Sequence, residues 1–414
     1  MVLRVMNTRT HRVEPFEPRE PDHVRMYVCG PSVYDDAHLG HARSYVAYDA
    51  MKRYFLAKGM RVTHVQNFTD VEEHIAERAR ESGYAPLDFT ERVIARFFAD
   101  MDELRVLRAD RYPRVSEHVP EILATIGRLQ EKGYAYAVDC GERPHAPGRA
   151  SCDVYFSVER APDYGSLIGT SVEELTVERP TLHGDRKNPL DFALWKSRDD
   201  WGVTWESPYG LGRPGWHVEC AAMSRKHLGD DFDVHGGGLD LVFPHHESER
   251  VIGEAASGKP YCRYYLHNGF VTVGNTKMSK SLGNFVTARQ MLHRHGAEVV
   301  RTFLLAAHYR APLNYDEEEI ARAAARVARW RALAAQVRRQ AHGHVPAMAL
   351  AASVCEARDA FWAALEDDFR FDRALDALEL ALQASCALDG PQSAAALGFL
   401  REAGRAMGVL WDLE

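Results

Sequence analysis

The chain lacks several things that would place it in a narrow class. Its 414 residues hold seven cysteines, Cys29, Cys140, Cys152, Cys220, Cys262, Cys355 and Cys386, scattered and without a CxxC pair. That excludes a disulfide framework and the compact zinc-finger spacings. No stretch approaches the ~18 apolar residues that span a bilayer, and the N-terminus (MVLRVMNTRTHRVEPF) has no apolar signal region. No membrane role is expected, and the cytoplasm is the expected compartment. Basic charge is also short: Lys plus Arg is 51 against 59 Asp plus Glu, a net charge of −8. A general nucleic-acid coat is excluded, although a local basic patch is not. Internal repeats and low-complexity tracts are missing too.

What remains is an ordinary globular composition, 46% apolar and 27% charged, long enough for two or three domains. Val24–Cys29 is β-like and stops at Gly30-Pro31. Ala42–Leu56 carries helical periodicity closed by Gly59, and Met60–Phe68 alternates like a strand. Strand, helix, strand at this length predicts a parallel βαβ unit. The expected organisation has four parts. Residues 1–135 form the first half of an α/β catalytic domain, and 136–214 an irregular insertion with short strands. Residues 215–310 return to α/β, and 311–414 form an Ala-, Arg- and Leu-rich helical bundle.

Three constellations carry chemistry. His38-Leu39-Gly40-His41 opens a helix, where free N–H groups and the positive dipole end suit a polyphosphate. The same pattern also suits two ordinary surface histidines. Lys277-Met278-Ser279-Lys280-Ser281 lies between Gly274 and Gly283, where two lysines can neutralise charge on a leaving pyrophosphate. A solvated basic turn reads the same way. The third constellation joins Cys29 and Gly30, then Gly215-Trp216-His217-Val218-Glu219-Cys220, then Phe243-Pro244-His245-His246-Glu247-Ser248-Glu249. Two thiols, an imidazole and a carboxylate are a sensible zinc set, although their spacing proves nothing alone.

The first two patterns together resemble the signature motifs of class I aminoacyl-tRNA synthetases. That resemblance implies a doubly wound, Rossmann-like parallel sheet with an inserted connective region and a C-terminal helical bundle. The third constellation, with His235-Gly236-Gly237-Gly238-Leu239-Asp240 and the string Arg186-Lys187-Asn188-Pro189-Leu190-Asp191-Phe192-Ala193-Leu194-Trp195-Lys196, is similar to the cysteinyl-tRNA synthetase family. The resemblance implies an AMP-forming ligase that activates L-cysteine with ATP and passes it to the 3′ end of tRNA(Cys). It implies one Zn²⁺ per chain on Cys29, Cys220, His245 and Glu249, and Mg²⁺ carried by ATP. It implies catalytic roles for His38, His41, Lys277 and Lys280, with Gly40 also at ATP. Cysteine would meet Gly30, Ser32, Thr69, Trp216, His235 and Asp240, and a monomer is expected.

Four features depart from the family pattern. Ser32 stands where a threonine is usual, and Glu72-Glu73-His74 replaces Asp-Asp-Lys. Arg370-Phe371-Asp372 replaces Asn-Thr-Pro after Asp367-Asp368-Phe369, and Glu414 follows the bundle directly, without an anticodon-reading segment. These keep two alternatives open: a ligase that joins cysteine to a non-tRNA amine such as an amino-sugar inositol, and a silent cysteine- or adenylate-binding paralogue. Arg322, Arg326, Arg329, Arg331, Arg338 and Arg339 lie in a span without acidic residues. They offer a stripe that can follow an RNA backbone, or a solvated helix face.

Overall fold

The computed structural model describes residues 2–142, 150–178, 186–197, 202–274, 276–278, 285–341 and 350–413. Among them, no helix is long and apolar enough to cross a membrane. Lys280 lies outside the described residues, and of Lys277 only the backbone is described.

The expected βαβ unit is present. Strand β1 (His23–Val28), helix α1 (Leu39–Ala57) and strand β2 (Arg61–Gln66) follow one another, and β1 pairs parallel with β2. After the insertion come strands β3 (Phe192–Lys196) and β4 (Arg213–Pro214), helix α2 (Trp216–Leu228), strand β5 (Phe232–Gly238), helix α3 (Glu247–Ser257) and strand β6 (Cys262–Asn268). The parallel sheet runs β2–β1–β5–β6. Its central pair joins the two halves of the chain, so the strand order reverses between β1 and β5. In open α/β sheets ligands bind beyond the carboxyl ends of strands at such a point.

Each face of the sheet is buried, and the alternation along β1 divides it. Val24, Met26 and Val28 enter one apolar core, whereas Tyr27 and Cys29 enter the other. The first core includes α1 and the C-terminal helices α4 (Glu317–Gln340), α5 (Ala352–Glu366), α6 (Phe371–Ser385) and α7 (Gly390–Met407). The second holds α2, α3 and the insertion. The close fit of α1 to the sheet explains part of the glycine run. A side chain at Gly236 would meet the Tyr48 ring at 2.5 Å, and the Tyr48 hydroxyl donates to the Leu266 carbonyl at 2.7 Å.

The insertion forms an antiparallel sheet of Ala135–Glu142, Ala150–Phe156, β3 and β4. Residue Gly215 leaves β4 and opens α2 directly, so the inserted sheet positions the helix that carries Cys220.

Five of the six arginines of the stripe, Arg322, Arg326, Arg329, Arg331 and Arg338, are paired within the fold. Arg326 pairs with Asp376 at 2.5 Å and Glu379 at 3.2 Å, and Arg329 with Glu379 at 3.0 Å, joining α4 to α6. Arg322 pairs with Glu318, Arg331 with Glu298, and Arg338 donates to the Asp412 carbonyl. The acidic partners lie elsewhere in the sequence or just before the span, so Arg322, Arg326, Arg329 and Arg331 form an ion-pair ladder within the fold.

Candidate active site

A cleft of about 570 Å³ opens at the reversal point. Its wall includes Cys29, Gly30, Ser32, His38, Gly40, His41, Thr69, Trp216, Cys220, Asp240 and His245.

At one end lies the start of α1. His38 is the N-cap, and its Nδ1 accepts the His41 backbone N–H at 3.1 Å; the His38 N–H is donated to His41 Nδ1 at 3.4 Å. The pair thus forms a reciprocal capping box. Since both Nδ1 atoms accept, the proton of each neutral ring resides on Nε2. The rings stack with centroids 3.7 Å apart. Glycine is required between them, because a Cβ at Gly40 would lie 2.8 Å from His38 Cε1. The segment following the lysine-rich loop closes on this end: Leu39 N–H donates to the Val286 carbonyl at 3.0 Å, and Ala288 N–H to the Ala37 carbonyl at 2.8 Å. Residues that follow the lysine motif in sequence are therefore tied to the start of α1 by backbone pairing.

At the base lies the donor cluster. One ligand atom each from Cys29, Cys220, His245 and Glu249 falls within 4.8 Å of the other three, and all four residues are buried. Tetrahedral zinc places donors roughly 3.3–3.8 Å apart, and this donor set of two thiols, an imidazole and a carboxylate is gathered close to that spacing. Cys29 comes from the end of β1 and Cys220 from α2; His245 and Glu249 stand one turn apart where α3 begins. Cys29 Sγ lies 3.5 Å and His245 Nε2 3.0 Å from Glu249 Oε1. Tyr261 donates its hydroxyl to Glu249 Oε2 at 3.1 Å.

The electrostatics also fit a cation. Burial alone would lower the His245 imidazole, but Glu249 and Cys220 raise it to about 10. Burial alone would raise Glu249, but His245 and His235 hold it well below the usual carboxylate range. The Cys29 thiol, hydrogen-bonded to it, holds Cys220 down to about 6. A proton on His245 thus supplies the positive charge that the donors demand. His217 is held neutral, at about 3, by burial and by His245. Its Nδ1 therefore accepts the His245 Nδ1–H at 2.9 Å and aims His245 Nε2 at the cluster, as second-shell partners of metal-bound histidines do.

The remaining expected residues are placed unequally. Gly30 donates its N–H to Asn67 Oδ1 at 2.9 Å, and the chain at Ser32 runs beside Thr69. Trp216 stacks on His245 with centroids 4.1 Å apart and stays 44% exposed, so it is cleft wall rather than core. Asp240 is exposed at the rim. His235 departs from its expected contact with substrate: it is fully buried, absent from the cleft wall among the described residues, and its Nε2 lies 3.3 Å from Glu249 Oε2. The pleat of β5 turns it behind the cluster. With His246 it completes a second group of four with Cys29 and Glu249. That group has one thiol, and neither imidazole reaches the cleft. Glu72, Glu73 and His74 line the cleft at the start of a helix.

Sequence reasoning missed His217, Asn67, Tyr261, Lys196, Arg213 and Glu219. The strings Arg186–Lys196 and Gly215–Cys220 contained three of them, but their roles depend on distant partners that no local pattern announces.

Residues 15–325 match the family model described as tRNA synthetases class I (C) catalytic domain. The chain is 45% identical over 392 residues to the cysteine–tRNA ligase of Pelotomaculum thermopropionicum, covering 93% of this chain and 78% of that one. It is 46% identical to the cysteine–tRNA ligase of Thermococcus onnurineus, over 91% of this chain and 79% of that one. In fold it matches Mycobacterium tuberculosis methionyl-tRNA synthetase in complex with methionyl-adenylate, with a TM-score of 0.69 at 17% identity over 93% of this chain and 92% of that one. With the donor cluster and the capped histidine pair sharing one cleft, the chain belongs to the cysteine–tRNA ligase family of class I tRNA synthetases.

Proposed function

We propose that this chain activates L-cysteine with ATP and transfers it to the 3′ end of tRNA(Cys). The observation that supports this most is the joining, in one cleft, of a phosphate-suited helix start with a buried two-thiol donor cluster. In the first step the cysteine carboxylate oxygen attacks the α-phosphorus of ATP. A P–O bond forms, the bond to the β-phosphate oxygen breaks, and pyrophosphate leaves with that electron pair. In the second step a hydroxyl of the terminal ribose attacks the carbonyl carbon. The bond to the phosphate oxygen breaks, AMP leaves, and the hydroxyl proton is released.

The chain supplies position and charge rather than a nucleophile. His38 and His41 present Nε2–H donors to phosphate oxygens, held by their mutual cap. Lys277 and Lys280 neutralise the departing pyrophosphate, with Mg²⁺ carried by ATP. Gly40 permits close approach at the helix start. Gly30, Ser32, Thr69, Trp216 and Asp240 surround the amino acid. Cys29, Cys220, His245 and Glu249 would hold one zinc, which when bound favours a thiolate over a hydroxyl and so separates cysteine from serine. The reading places the chain in the reducing cytoplasm, where these cysteines remain thiols.

The test is to incubate the purified chain with ATP, labelled cysteine and total tRNA and to count acid-precipitable label. Charging of tRNA is expected. Cysteine-dependent ATP–pyrophosphate exchange without charging would overturn the tRNA assignment and point to a small amine acceptor.

A further inference from the structure

Arg43 stands on α1, two residues after His41, and is fully buried. Its Nη2 donates to the Ala307 carbonyl at 3.0 Å and to the His308 carbonyl at 2.8 Å. Those carbonyls follow the helix Ala297–Leu305, whose C-terminal end favours a cation. Nε and Nη1 meet no acceptor among the described residues. Burial lowers Arg43 only to about 10, so it stays a cation at neutral pH. Asp372 attracts it, but that carboxylate bonds to Arg370 at 3.1 Å. A buried charge paired along one edge alone costs stability that an apolar side chain would not. Packing therefore does not account for this residue.

The two carbonyls lead to the lysine motif. The Tyr309 carbonyl accepts the Gly269 N–H at 2.9 Å, and the Leu313 N–H donates to the Phe270 carbonyl at 2.9 Å. The strand Val271–Val273 then pairs parallel with Leu313–Tyr315 and antiparallel with Thr276–Lys277, where the motif begins. The fit is close, since a Cβ at Gly269 would lie 2.4 Å from the Ala311 carbonyl oxygen. Gly269, Phe270 and Val271 line the cleft. Residues 307–315 are thus the base from which the lysine motif starts, and Arg43 ties that base to the helix of the histidine pair.

Beyond the motif, the chain returns to α1 through the bonds from Leu39 to Val286 and from Ala288 to Ala37. Those bonds fix the far side of the motif, and Arg43 fixes the near side. The histidines and the lysines must meet one triphosphate together, and a displacement of about 1 Å in such groups costs roughly 10²-fold.

We infer that Arg43 is a positioning residue for adenylate formation, holding the start of the lysine motif in register with His38 and His41. This inference rests on the cysteine-activating reading above.

The test compares wild type, Arg43→Lys and Arg43→Met as full chains. Zinc content, denaturant midpoint and cysteine-dependent ATP–pyrophosphate exchange are measured for each, with kcat expressed per zinc-loaded chain. Arg43→Met is expected to lower exchange kcat about 10²-fold, with the KM for cysteine and the zinc content unchanged. Arg43→Lys keeps the cation without the planar fork and should recover about tenfold of that loss. A lower midpoint or zinc content with an unchanged kcat per loaded chain would overturn the inference and leave Arg43 a purely structural residue. A rise in cysteine KM that accounts for the loss would overturn it by placing the effect at the donor cluster. If Arg43→Met yields no folded chain, Arg43→Lys decides alone: a loss of about tenfold in kcat supports the inference, and a wild-type kcat overturns it. A wild type without cysteine-dependent exchange would overturn the activation reading as well.

Discussion

The donor cluster and the arginine ladder of α4 are two concentrations of charge with opposite fates. In the ladder, Arg326 and Arg329 meet Asp376 and Glu379 on α6, and Arg331 meets Glu298. Arg329 and Arg331 are exposed while Glu379 and Glu298 are more buried, and each of these cations is answered by the chain itself. In the cluster, two thiols, an imidazole and a carboxylate are buried together, and a proton on His245 helps to balance them. Burial of such a set without its cation is costly, so the cluster retains a demand that the ladder has already satisfied. Charge density therefore does not mark function. Charge left unanswered within the fold does.

The largest effect expected on this comparison is at Cys220. Cys220→Ala should abolish stoichiometric zinc and lower cysteine-dependent exchange on the order of 10³-fold, a loss of several kcal/mol. Metal analysis beside exchange kinetics measures both. Full zinc content in this variant would break the contrast.

Gly40→Ala comes next. The added methyl forces the His38 ring aside, and a displacement of about 1 Å in a positioning group costs roughly 10²-fold. Exchange should fall by that amount with zinc content unchanged; unaltered exchange would detach the histidine stack from catalysis.

His217→Ala removes the acceptor that orients His245, and zinc affinity should weaken by about 10- to 100-fold. Competition against a chromophoric chelator reports this. In wild type, zinc binding should release protons and tighten as pH rises, because His245 must lose its proton. An affinity independent of pH would contradict the proton-for-metal exchange.

The smallest effect belongs to the ladder. Arg326→Ala with Arg329→Ala should cost about 1 kcal/mol per pair, the upper end for surface ion pairs, read by denaturant midpoint, with the KM for tRNA unchanged. A marked rise in that KM would restore the stripe as an RNA contact.

Much of this was legible in the sequence because the strongest patterns are local. The Val24–Cys29 strand, the helix from Leu39 and the next strand obey simple periodicity, and the four cluster residues sit in recognisable strings. The pairing of the arginines was not legible because α4 shows only its own residues, whereas its partners come from α6 and the segments around Glu298 and Asp412. His235 was misread because the string that contains it does not reveal which side of β5 it faces. His217, Lys196 and Arg213 depend on pairings across the fold, and pairing is what a linear pattern conceals.

The central claim is that the buried donor cluster makes this cleft a cysteine-activating site. Its most direct test is ATP–pyrophosphate exchange with cysteine and with serine, measured on the zinc-loaded chain, after chelation, and after zinc is restored. The account predicts exchange with cysteine but not serine, lost on chelation and recovered with zinc. Undiminished cysteine-dependent exchange in the chelated chain would contradict it.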